Sequence, residues 1–134
     1  MNNLFDLTGK TALITGAAGL LGPKHAEAIM EQNGNVIISD RDYERAQIVS
    51  AQLNQKYNCM RALPTYMDVT DRESIDAVIQ SHQCIDILIN NAAKDPKVKK
   101  DAGLTPESRF EVMTEEYWKE GIDAIINGTF LCSQ

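Results

Sequence analysis

The chain has 134 residues, 43% apolar and 24% charged, a balance that fits one globular domain with a real core and speaks against disorder. Its net charge of −6 gives no basis for counterion-release binding to nucleic acid or for attraction to an anionic membrane. No apolar run approaches the roughly 20 residues of a membrane span, "MNNLFDLTGK" is no secretory leader, and Cys59, Cys84 and Cys132 form no Cys-x-x-Cys or Cys/His cluster, so a cytoplasmic chain without disulfide or metal is expected.

In chain order, "TALIT" (11–15) reads as a buried strand, and "LLGPKHAEAIMEQ" places Gly22, Ala26, Ile29 and Met30 on one helical stripe before Asn33 and Gly34 stop it. "NVIIS" (35–39) is a second strand, followed by a helix in which Ala46, Val49 and Leu53 recur at helical spacing. A short third strand lies in "MRALPTYMDV", where Pro64 predicts an edge position. Thr70 with Glu73 then makes a capping box for a helix carrying Ile75, Val78 and Ile79. "IDILIN" (85–90) is a fourth strand. The polar segment after it carries Lys94, Lys97, Lys99 and Lys100, read as a solvated loop, and Thr114 caps a last helix through Trp118, Ile122 and Ile125.

Four alternations of strand and helix, with continuously apolar strands, predict an α/β fold: a Rossmann-like, doubly wound parallel sheet in the order 3-2-1-4 with helices on both faces. Residues 1–134 form a single dinucleotide-binding domain in this reading.

Gly16, Gly19 and Gly22 fall between the first strand and the first helix, where such a sheet binds phosphate on a helix N-terminus. Gly16 makes the tight turn, Gly19 lets backbone N–H groups approach a pyrophosphate, and Gly22 allows close helix–strand packing. The candidate cradle therefore comprises Gly16, Ala18, Gly19, Leu20, Leu21 and Gly22. Asp40 ends the second strand 24 residues after Gly16, where a carboxylate accepts hydrogen bonds from an adenosine ribose. That acid, and a turn without a basic residue, favour NAD over NADP; the adjacent Arg41 is a second cofactor candidate that could accept a 2′-phosphate. His25 and His82 fall in predicted helices without partner motifs and read as structural or surface residues.

Four stretches, "LTGKTALITGAAGLLG", "DVTDRESI", "IDILINNAA" and "WKEGIDAIINGTFLCSQ", give the chain a resemblance to the short-chain dehydrogenases/reductases along essentially its whole length. The resemblance implies that Asp68 holds the adenine by side chain and Val69 by backbone. It also implies that Asn90 braces the central strands and that Asn91, Ala92 and Ala93 line the nicotinamide-ribose side. Each has a plainer reading as a helix-leading or strand-ending residue.

Three departures stand out. Leu20 occupies the family's usual middle glycine, a spacing more typical of extended, sugar-nucleotide-modifying members. The family's catalytic asparagine, seven residues after the tryptophan, is Ile125 here. Asn127 lies about 200° further round a regular helix, so no role is assigned to it. Finally, no tyrosine has lysine at +4: Gln47, Arg61, Thr70 and Gly121 stand there. No catalytic residue is assigned. The family's serine and Tyr-x-x-x-Lys are expected beyond residue 134, in a chain truncated after its fourth strand–helix unit. The reading is the N-terminal cofactor-binding portion of an NAD-dependent oxidoreductase acting on a small-molecule carbonyl or alcohol, a homo-oligomer when intact. The alternatives are a non-catalytic dinucleotide module and a sugar-nucleotide epimerase or dehydratase.

Overall fold

The computed structural model describes residues 4–82, 84–94 and 109–134. Four parallel strands, β1 (Thr11–Thr15), β2 (Asn35–Asp40), β3 (Ala62–Tyr66) and β4 (Ile87–Ile89), form one sheet in the order β3-β2-β1-β4. Helices α1 (Gly22–Glu31), α2 (Tyr43–Tyr57) and α3 (Arg72–Ser81) follow the first three strands in turn. After β4, a 3₁₀ turn (Phe110–Val112) leads into α4 (Glu115–Ile122), a π-helical segment (Asp123–Asn127) and α5 (Gly128–Ser133).

The continuous apolar strands are explained by burial on both sides. On one face Ala12, Ile14, Val36 and Ile38 meet Ala26 and Met30 of α1 and Ala46 and Leu53 of α2. On the other, Leu13 and Ile37 meet Met67, Val69 and the α3 residues Ile75 and Val78, with Leu131 of α5 packed against them. Alternate residues of one strand thus feed two cores, as an extended backbone requires.

Helix ends follow local chemistry. Asn33 (φ 67°) ends α1 in the left-handed region, and Asn58 (φ 47°) does the same for α2. The Thr114 hydroxyl accepts from the Tyr117 amide at 3.2 Å, capping α4 as its sequence predicts. The predicted Thr70–Glu73 box is corrected. Asp71 is the N-cap of α3, accepting from the Glu73 amide at 3.1 Å, because the Thr70 hydroxyl is already committed to Asp68 at 2.7 Å.

Strand β4 is shorter than the predicted 85–90. At one end the Asp86 carboxylate takes the Thr11 amide at 2.9 Å, and at the other the Thr15 hydroxyl takes the Asn91 amide at 3.0 Å; side chains there replace ladder bonds. The last helix is not one regular α-helix, since the Asp123–Asn127 segment widens it by a π-turn while the backbone stays helical on both sides. Of the helical stripes, Ile79 is half-exposed rather than buried. Lys97, Lys99 and Lys100 lie outside the described residues.

Candidate functional site

A cleft of about 700 Å³ opens at the carboxyl ends of β1, β2 and β4. Its floor is the turn from β1 to α1. Gly16 takes φ +59°, and a Cβ there would stand 2.8 Å from the Ala92 Cα, so both conformation and space demand glycine. The Gly19 amide closes the turn onto the Gly16 carbonyl at 3.1 Å. Helices α2, α3 and α4 begin on the capping side chains of Asp42, Asp71 and Thr114, whereas α1 begins at Leu21 with no side-chain cap. Pro23 has no amide to offer and the Lys24 amide donates to the Leu21 carbonyl at 2.9 Å, so the amides of Leu20 to Gly22, where the turn enters the helix, are those presented to a ligand, and a helix N-terminus in a glycine turn suits phosphate oxygens.

The turn is tied to both neighbouring strands. From β2, the Ser39 carbonyl accepts from the Ala17 amide at 2.9 Å and the Asp40 Oδ2 from the Ala18 amide at 3.0 Å. From beyond β4, the Asn91 Nδ2 donates to the carbonyls of Thr15 and Gly16, both at 3.0 Å. The buried Thr15 hydroxyl accepts from the amides of Asn91 at 3.0 Å and Ala92 at 2.9 Å. The resemblance gave the bracing role to Asn90. The structure gives it to Asn91, because Asn90 is exposed and its amide donates instead to the Ser133 hydroxyl of α5 at 3.1 Å.

Of the residues the sequence singled out, Gly16, Ala18, Gly19, Leu20 and Leu21 line the floor, Asp40 and Arg41 one end, Asp68 and Val69 one wall, and Asn91, Ala92 and Ala93 the other. Gly22 and Asn90 do not line it. Gly22 packs under the turn, where a Cβ would overlap the Ala17 backbone, which is the close helix–strand approach expected of it. The Asp68 Oδ1 accepts from the amide of Thr70 at 2.9 Å as well as its hydroxyl, fixing the carboxylate at the rim.

Several lining residues were not foreseen: Asp42, Arg45 and Thr70 at the rim, and Lys94, Glu120 and Asp123 at the β4 end. Position is the sequence signal for Arg45, which sits in the first turn of the helix after the second strand. Lys94 is not a solvated loop residue. It pairs with Glu120 and lies 4.3 Å from the Tyr117 ring centroid, a cation–π contact that holds it against α4. This lysine meets the face of the ring, and Tyr117 does not line the cleft, so the pair does not stand in for Tyr-x-x-x-Lys. Neither Ile125 nor Asn127 lines it either; the Asn127 amide donates to the Asp123 Oδ1 at 2.7 Å.

A parallel sheet in this order, with a glycine turn, an uncapped helix and strand-end acids around one cleft, defines a dinucleotide-binding protein of the Rossmann class. The chain belongs to the short chain dehydrogenase family, whose model matches residues 10–134. It is 31% identical over 134 residues to an NAD-dependent glycerol dehydrogenase of Listeria innocua, covering 97% of this chain and 47% of that protein. Among solved structures, a short-chain type dehydrogenase/reductase from Mycobacterium marinum superposes with a TM-score of 0.80 at 30% identity, covering 98% of this chain and 50% of that one. A 3-ketoacyl-(acyl-carrier-protein) reductase from Brucella melitensis, complexed with NADH, gives 0.78 at 26%, covering 96% and 48%. The chain thus spans about half the length of each of these proteins. The family consists of oxidoreductases that bind nicotinamide dinucleotides and act on small molecules. No described helix is long and apolar enough to cross a membrane.

Proposed function

We propose that residues 1–134 form a single domain that is the cofactor-binding part of an NAD-dependent short-chain oxidoreductase. The observation that carries this is the meeting of glycine turn, Asp40, Asp68 with Val69, and Asn91–Ala93 around one cleft. Bound there, the nicotinamide supplies hydride exchange with a carbonyl or alcohol. The chain's own residues bind and orient. The turn and the start of α1 hold the pyrophosphate, Asp40 the adenosine ribose, and Asp68 and Val69 the adenine. Asn91 fixes the strand end on which Ala92 and Ala93 border the nicotinamide ribose. The catalytic serine and Tyr-x-x-x-Lys lie, in this proposal, in sequence beyond Gln134, which accords with relatives about twice as long.

NAD is preferred over NADP because a carboxylate at Asp40 repels a 2′-phosphate; Arg41 and Arg45, at the same end, weaken the preference without reversing it. The NAD-dependent relative and the NADH-bound neighbour accord with this choice. Calorimetric titration of the purified chain with NADH and NADPH tests it, and tighter binding of NADPH overturns it. The intact protein is proposed to be cytoplasmic and a homo-oligomer. Trp118, Ile126 and Phe130, each more than half exposed along the last helix, support association. The second reading, a dinucleotide module without catalysis, draws on Ile125 standing where the family has its asparagine. The reading frame downstream of residue 134 separates the two.

A further inference from the structure

Both oxygens of the Asp40 carboxylate are engaged by backbone without any ligand. Oδ2 accepts from the Ala18 amide at 3.0 Å and Oδ1 from the Asp42 amide at 2.9 Å. We propose that Asp40 is a positioning residue for the phosphate cradle: it holds the glycine turn in its binding shape, in addition to facing the ribose. The proposal rests on the cofactor reading above, but its geometry belongs to the chain alone.

Ala18 is the third residue of the turn closed by the bond from the Gly19 amide to the Gly16 carbonyl, and it is only 3% exposed. An amide in the middle of so tight a turn has no backbone acceptor within it, and leaving it unpaired is costly. The end of β2 resolves this. The Ser39 carbonyl takes the Ala17 amide and the next side chain, Asp40, takes the Ala18 amide, so consecutive amides of the turn are pinned to one strand. With Gly16 locked at φ +59° and Ala18 tethered, the direction of the following Leu20 and Leu21 amides is fixed before phosphate arrives. At the same time the bond to the Asp42 amide draws in the start of α2, whose N-cap is Asp42. A carboxylate oxygen has two lone-pair sites, so each Oδ keeps one for a ribose hydroxyl and the two roles coexist.

Replacing Asp40 should therefore not simply exchange NAD for NADP. Asp40→Ala loosens the cradle that both cofactors need, whereas Asp40→Asn retains one oxygen able to accept from the Ala18 amide.

The experiment follows amide exchange at Ala18 by NMR in the purified chain. A hydrogen bond to a charged acceptor is lost in Asp40→Ala, so Ala18 exchange should rise about tenfold or more, with the Val36 amide, which donates to the Arg61 carbonyl at the far end of β2, as an unchanged reference. Asp40→Asn should leave Ala18 protected while the Asp42 amide exchanges faster, a split that reads the clamp even if the alanine variant fails to fold. The second arm titrates an NADH analogue whose adenosine carries 2′,3′-dideoxyribose and so offers Asp40 no hydroxyl. Weaker binding of the analogue by Asp40→Ala than by the unmodified chain, restored in Asp40→Asn, supports the clamp. Equal analogue binding by the unmodified chain and Asp40→Ala, or unprotected Ala18 in Asp40→Asn, overturns it. Failure of the unmodified chain to bind NADH overturns the cofactor reading instead, and the exchange arm then decides the clamp by itself.

Discussion

Thr15→Val removes one oxygen and changes little else. Thr15 ends β1 at 1% exposure, and its hydroxyl accepts from the amides of Asn91 at 3.0 Å and Ala92 at 2.9 Å. Valine fills the same β-branched volume on the strand but accepts nothing, so two amides lose their partner. Each unsatisfied buried amide costs about 1–3 kcal/mol. Asn91 and Ala92 are half-buried, and the Asn91 side chain still holds the carbonyls of Thr15 and Gly16, which puts the pair near the low end. The added buried methyl offsets less than ~1 kcal/mol. The net expectation is a loss of about 1–2 kcal/mol, a sizeable fraction of the ~5–15 kcal/mol that holds an ordinary domain together. Urea unfolding followed by circular dichroism measures it, with Thr15→Ser as the partner variant. Serine keeps the acceptor and loses only a methyl, at about 1 kcal/mol. NADH affinity should fall in the valine variant and hold in the serine one, since only the first frees the strand end at Asn91 and Ala92 that lines the cleft. A valine variant as stable as the serine variant, or more so, refutes the reasoning.

Gly16→Ala should lose about 2–3 kcal/mol and most NADH binding, because its φ of +59° disfavours a side chain and the new Cβ meets the Ala92 backbone; titration and urea melts on one preparation check both. The Lys10 hydrogen bond, then that of the Thr11 amide, holds the Asp86 carboxyl below the ordinary carboxylate range. A lowered folded value means that its contribution is full above the unfolded value near ~4 and is lost as pH falls through the folded one. Asp86→Asn should accordingly flatten the acid limb of a stability–pH curve below about pH 4 and leave its slope near neutrality unchanged. The 134 residues alone should show no NAD reduction with alcohols in a spectrophotometric screen, since general acid–base help is worth about 10²–10⁴ in rate and no tyrosine of this sequence has a lysine four residues on. Turnover by this chain would place catalytic groups among residues read as structural.

Much of this architecture is legible in the sequence because its signals are local. Continuous apolar runs mark strands covered on both faces, and glycine spacing marks the turn at the end of β1. Pro64 places its strand at the edge, and among the described strands β3 pairs only with β2. What misleads is competition between neighbours. Thr70 and Asp71 both suit an N-cap, and the choice falls to Asp71 because Asp68 claims the threonine hydroxyl. Asn90 and Asn91 are adjacent and identical, so which one faces β1 depends on the residue at which β4 stops pairing. Lys94 reads as one lysine of a charged run, because its partners on α4 are distant in sequence.

The π-turn at Asp123–Asn127 acts as a phase shifter in the last helix. One extra residue taken into a helical circuit sets everything after it back by about 100° relative to an uninterrupted α-helix. Gly128 immediately follows, buried against Val69 so closely that a Cβ would come within 2.7 Å of the valine Cγ2. The contact between α5 and the Asp68–Val69 wall of the cleft is therefore set by a residue count rather than by any side chain in the π-turn. Deleting a single residue there would let the segment close to regular α-helix with Gly128 still facing Val69, whereas rewinding it to α-helix at constant length would turn Gly128 away. A one-codon deletion within the π-turn should thus spare this contact, while Gly128→Ala, whose Cβ has no room beside Val69, should break it.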